Sequence, residues 1–209
     1  MSIAIGPGEE SLGVDNGKLG MWIFLVMDAM TFAGFLAGYA RLRWKQPLLD
    51  GTAWPNPYET FGVVGIQLTA FNTFILICSS VTMVHVLSDV AAGRIKRAEK
   101  WCLITILGGL CFLGIQGYEW THLMGGWNFF SETPQMLPYN QNFAATFLSL
   151  TGFHGAHVAV GVMFNTILYL GLKRGKIGKE QYTFVEIAGI YWHFVDLVWI
   201  LVFTFVYLL

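Results

Sequence analysis

Five long apolar runs alternate with shorter polar connections along this chain. The runs cover about residues 18–41, 61–90, 101–123, 142–170 and 183–208. Each is long enough for a helix that crosses the bilayer, which takes about 20 residues at about 1.5 Å each. The pattern predicts an all-α polytopic membrane protein, a bundle of five transmembrane helices. Residues 1–17 read as a short Gly-rich tail and 18–209 as a single five-helix domain. The connection at 42–61 holds Pro47, Pro55 and Pro57 with Trp44, Trp54 and Tyr58, and is expected to be an interfacial loop. The stretch from 124 to 141 is rich in aromatic residues and proline and has no basic residue. GRIKRAEK at 93–100 and LKRGKIGKEQ at 172–181 are basic connections. No internal repeat is evident.

Polar positions inside the runs carry the next layer of information, because ionisable groups in hydrocarbon are costly and turn toward protein or water. In the fifth run, His193 falls about 20° from Glu186 around the helix, Gly189 about 60° and Asp196 about 80°. In the fourth, His154 and His157 stand at i, i+3, with Gly161 and Asn165 within about 60° of His154. The third places Gln116 and Glu119 one turn apart. The second has Asn72 and Ser79 on one face, Thr69 to the side and His85 roughly opposite. The first holds one acid, Asp28, near the bilayer middle, and a Gly34/Gly38 pair that permits close approach.

These stripes are expected to turn inward, with the fourth and fifth helices as the rigid centre satisfying each other. Bulk added at Gly189 is expected to harm assembly more than His154→Gln does. Glu119 and Glu186 lie near helix ends, where partial hydration is expected. Asp28 has no cation nearby on its own helix. It either stays protonated or finds a histidine on another helix, His157 or His193 by depth.

Only 12% of the 209 residues are charged and 55% are hydrophobic, with mean hydropathy +0.56. A soluble domain carries about 25% charged residues, so composition agrees with the membrane reading. Net charge is −1 and no basic tract occurs, which leaves no case for a nucleic-acid partner. Cys78, Cys102 and Cys111 sit in apolar runs without metal-type spacing and read as buried free thiols. Residues 1–17 contain Glu9, Glu10 and Asp15 but no Lys or Arg, so no cleaved signal is expected. Lys18 and the two basic connections put nine Lys and Arg on one side, against Arg41, Arg43 and Lys45 on the other. The positive-inside rule then places the N-terminus inside and the C-terminus outside.

Two chemical readings of the histidines compete. In one, His154, His157 and His193 hydrogen-bond across helix interfaces. In the other, they ligate metal or haem, with Asp28, Glu119 and Glu186 as further ligands. Five histidines are few for a membrane di-iron centre. The aromatic residues are expected to be mostly lipid-facing or interfacial. Trp192 and Trp199 share a face, open to packing, lipid or a neighbouring subunit.

The segments GMWIFLVMDAMTF at 20–32, FNTFILICSSVTMVH at 71–85, QGYEW at 116–120, TGFHGAHV at 151–158 and FVEIAGIYWHFVDLVWILVF at 184–203 follow one another over almost the whole chain. Together they resemble subunit III of the haem–copper oxidases, the cytochrome c and quinol oxidases. The likeness covers the last five helices of the longer seven-helix form, as in five-helix bacterial versions. One departure is Asp28, where the family usually has Glu.

The resemblance implies a structural subunit with no catalytic residue and no metal or cofactor of its own. Haem and copper are then expected in partner subunits of a respiratory terminal oxidase that reduces oxygen to water and pumps protons. It further implies direct packing on subunit I, association with subunit II, support of proton uptake, and contact with membrane lipids, including phospholipid in a cleft. A place in a bacterial cytoplasmic membrane, and in a larger respiratory supercomplex, follows from the same likeness. Other readings are a small membrane metalloenzyme or b-type cytochrome using His154, His157 or His193, and the related accessory protein of nitric oxide reductase systems. A transporter is less favoured, since no broken helix pair or repeat occurs. The electron donor, cytochrome c or quinol, is not written in this chain.

Overall fold

The computed structural model describes residues 15–49, 54–123 and 141–209. Five long helices account for nearly all of them: α1 (Asn16–Leu49), α2 (Pro57–Ala91), α3 (Ile95–Leu123), α4 (Gln141–Lys173) and α5 (Tyr182–Phe203). A 3-10 turn, Lys179–Gln181, leads into α5, and a wider π turn, Thr204–Leu208, ends it. All five carry spans long and apolar enough to cross a membrane.

Helix ends follow local chemistry. Helical backbone runs past Arg41 to Leu49 and resumes at Pro57, so the expected loop at 42–61 is shorter than the prolines implied. Proline is tolerated at the first helical position, where its missing N–H has no partner to lose. Gly62, with φ 67° and ψ 165°, breaks the ladder, so the apolar body of α2 begins just after it, near the expected Phe61. The two basic connections close with one motif. Gly93 and Gly175 take left-handed φ of 75° and 66°. The N–H of Gly93 bonds the carbonyl of Val90 and that of Arg94 the carbonyl of Asp89, and Gly175 and Lys176 repeat this on Leu172 and Gly171. This is the Schellman cap, where glycine avoids the Cβ clash. The connection between α3 and α4, residues 124–140, lies outside the described residues.

The helices pack as a ring of neighbours. α2 lies along α3, α3 along α4, α4 along α5, and α5 returns to α2, while α1 leans on α4 and α5. Half of the apolar span of α5 is buried, against 17% of that of α1. α5 is therefore the internal helix and α1 the peripheral one.

The core is aromatic. Trp192, Trp199, Tyr207, Phe112 and Phe147 are fully buried. The expectation that aromatic residues mostly face lipid therefore fails for these five, while Trp22 and Trp44 do lie on the outside, and packing accounts for the Trp192–Trp199 face. Glycines make the room. A Cβ on Gly109 would stand 2.5 Å from Val162 Cγ2 and 2.7 Å from Trp192 Cη2, and one on Gly161 2.8 Å from the Trp192 ring. Trp22, Met27, Met30, Val64, Phe74 and Leu107 are exposed, forming an outer surface suited to hydrocarbon.

Candidate functional site

The buried polar side chains form contacts between helices, and α2 carries more of them than any other helix. Thr73 donates to the Thr69 carbonyl at 2.8 Å and accepts the Trp199 indole N–H at 2.9 Å. Ser79 donates to the Leu76 carbonyl at 2.6 Å and accepts the Trp192 indole N–H at 3.1 Å. Each hydroxyl thus satisfies one buried indole while staying paired on its own helix. Ser80 lies 2.9 Å from His193 Nδ1. Toward α3, Asn72 donates to the Phe112 carbonyl at 3.3 Å, and Thr82 pairs with Thr105 at 2.7 Å.

Glu119 is buried between three helices. Its Oε1 is 3.0 Å from the Thr69 hydroxyl and its Oε2 accepts from Tyr207 at 3.1 Å. It is 8% exposed, so partial hydration near its helix end does not hold. Glu186 is half-buried as expected, and Lys18 pairs with it at 2.5 Å. At the opposite end of α1, the Arg43 guanidinium donates to the Leu209 carbonyl. These contacts tie both ends of α1 to the α5 segment.

Asp28 meets His157. Oδ2 of Asp28 lies 3.2 Å from His157 Nε2, and His157 Nδ1 lies 2.8 Å from the Phe153 carbonyl. A carbonyl only accepts, so Nδ1 carries a proton. A proton held between Nε2 and Oδ2 would make the pair neutral overall whichever atom carried it. That neutrality is how a carboxyl group can sit deep in the spanning region.

His154 differs from its neighbour. It is fully buried with its ring centroid 4.8 Å from Trp199 and 5.6 Å from Phe112, and its ring nitrogens have no hydrogen-bond partner among the described residues. Asn165 is also buried, and its carbonyl faces the Cys102 thiol at 3.5 Å.

The expected mutual pairing of the α4 and α5 stripes is therefore corrected. Glu186 turns to α1, Gly189 to Leu87 and His193 to Ser80 of α2, while His157 of α4 turns to α1. The two helices instead meet through Trp192, packed on Gly161, and through Tyr191, whose hydroxyl donates to the His157 carbonyl at 3.1 Å. Among the described residues, no three His, Cys, Asp or Glu side chains gather as a ligand group. Of the three expected buried thiols only Cys102 is buried; Cys78 and Cys111 lie on the outer surface.

Sequence reasoning missed Thr73, Ser80, Tyr207 and Lys18 as partners. The signal for the first two was present, since Thr69, Asn72, Thr73, Ser79 and Ser80 recur at helical spacing on α2. An apolar cavity of about 440 Å³ opens between α1 and α5, walled by Trp22, Leu25, Val26, Ala29, Ile190, Phe194 and Leu197, with His193 as its polar group.

Residues 4–209 match the family model described as cytochrome c oxidase subunit III. The chain is 33% identical over 203 residues to cytochrome c oxidase subunit 3 of Alkalihalophilus pseudofirmus, covering 97% of this chain and 91% of that one. It is 32% identical to the protein of the same name from Bacillus subtilis, over 97% and 91% of the two chains. It is also 30% identical to cytochrome bo(3) ubiquinol oxidase subunit 3 of Pseudomonas putida, over 93% and 88%.

Proposed function

Since this chain belongs to the cytochrome c oxidase subunit III family, we propose that it is the cofactor-free structural subunit of a haem–copper terminal oxidase. It packs on subunit I, alongside subunit II, and those partners hold the haem and copper. It sits in a bacterial cytoplasmic membrane with its N-terminus inside and its C-terminus outside. Its part in turnover is to hold subunit I and to support proton uptake. Relatives named for both cytochrome c and ubiquinol oxidases leave the electron donor to other subunits.

One observation carries the reading. The three candidate histidines turn to different partners, His154 to the Trp199 and Phe112 rings, His157 to Asp28 and His193 to Ser80, although His154 and His157 share Phe32 as a neighbour. Such a bundle is built to pack. Asp28, Glu119, His154, His157, Glu186, His193 and Asp196 act as structural polar residues in this account. The test is extraction from native membranes in mild detergent through a tag on this chain, with mass spectrometry of whatever accompanies it. Subunits I and II of an oxidase are the expected companions. Nitric oxide reductase subunits in their place, or no companion, would overturn the proposal.

A further inference from the structure

The end of the α2–α3 hairpin that bears the first basic connection carries an aromatic seat beside exposed cations. The His85 ring lies against Trp101, with centroids 4.7 Å apart and planes 26° from parallel. His85 is exposed on the outside of α2, and Trp101 is half-buried against the core. Arg97 precedes Trp101 by one turn and so shares its face of α3, with Lys100 adjacent; both are exposed.

The nearby acids are already engaged. Asp89 Oδ1 accepts from Arg94 Nε at 2.7 Å, and its Oδ2 forms a longer ion pair with Arg97 Nε at 3.7 Å, so the single Asp89 carboxylate is shared by two guanidinium groups. Glu99 lies 3.4 Å from Lys96. Four cations against two acids leave a local positive excess, and 64% of the Arg97 side chain is exposed.

Depth matches a lipid. The spans Thr60–Ala91 and Ile95–Thr121 hold 32 and 27 residues. At about 1.5 Å per residue, both exceed a hydrocarbon thickness of about 30 Å. Centred in the bilayer, the hydrocarbon edge falls close to His85 and Trp101, where aromatic side chains are favoured, and Arg97 and Lys100 reach the headgroup layer. Below the seat, Val81 and Ile104 are exposed for acyl chains. The other basic connection lacks such an open seat, since Lys173 already lies over the Tyr169 ring at 5.8 Å.

We propose that this hairpin end binds one anionic phospholipid, its phosphodiester on Arg97 and Lys100 and its glycerol ester region over the His85–Trp101 stack. This site is distinct from the α1–α5 cavity. It requires only that the chain span a membrane, and does not depend on the oxidase reading.

The test uses the complex as purified, delipidated in detergent and titrated with phosphatidylglycerol or phosphatidylcholine under native mass spectrometry. Wild type is expected to retain phosphatidylglycerol preferentially. A near-surface charge contributes roughly fivefold to anionic-lipid binding, so R97Q/K100Q should weaken that binding about thirtyfold. K176Q/K179Q, with the same loss of charge, should leave it unchanged. A photoactivatable phosphatidylglycerol should label wild-type peptides around residues 81–104, a readout that stands even if the double variant fails to assemble. Equal retention of both lipids, equal loss in the two double variants, or labelling only elsewhere would overturn the inference.

Discussion

His154 and His157 stand one turn apart on α4 and serve different needs. His157 faces the Asp28 carboxyl at 3.2 Å, whereas His154 is enclosed by Trp199 and Phe112. Truncating a buried polar partner leaves the other group unsatisfied, at about 1–3 kcal/mol, while replacing a ring that meets apolar rings costs less. His157→Leu should therefore lower the yield and heat resistance of the assembled complex clearly more than His154→Leu. Equal losses would contradict the distinction. Asp28→Asn keeps a side chain that can hydrogen-bond His157, so assembly and initial oxygen uptake should stay close to wild type, whereas Asp28→Leu should reduce assembly. Loss of the first turnover in an intact Asp28→Asn complex would make the residue catalytic. Sequence spacing put both histidines on one side of α4, and depth pointed Asp28 toward His157 or His193, of which the structure selects His157. It could not separate the two roles, because about 60° around the helix decides between a carboxyl and an indole across the interface.

At the scale of elements, α2 is the polar support and α5 the helix it supports. Long apolar runs made all five helices legible in the sequence, together with the basic connections. Partnering was not legible, since the hydroxyls of Thr73, Ser79 and Ser80 are small and common, and only a structure shows which indole or imidazole each one meets. Thr73→Val combined with Ser79→Ala should leave two buried indole N–H groups without acceptors. Membrane hydrogen bonds average about 0.6 kcal/mol each, so the pair should lower thermal stability modestly and near-additively. The ranking among glycines also becomes definite. A Cβ on Gly109 meets a valine methyl and an indole ring, but one on Gly189 meets only the end of the Leu87 side chain, at 2.7 Å. Gly109→Ala should cost about 1–3 kcal/mol through overpacking and Gly189→Ala less, read as complex surviving graded heating. A larger loss for Gly189→Ala would reverse the assignment of the tight seam.

For the whole molecule, the exposed apolar surface and the peripheral position of α1 describe a chain that is finished by its surroundings, lipid on some faces and protein on others. Nine cations toward one end and three toward the other predict that a reporter on the N-terminus is active only inside the cell, and one on the C-terminus only outside. An externally active N-terminal reporter would invert the molecule and move the proposed headgroup site to the opposite leaflet. The central claim is that this chain supports haem–copper chemistry without holding the cofactors. The most direct measurement is haem, copper and iron per chain, first in the intact detergent-extracted complex and then in this subunit after it is dissociated from the others. Haem and copper are expected in the complex and none above background in the separated chain. Stoichiometric haem or metal retained by the separated chain would contradict it.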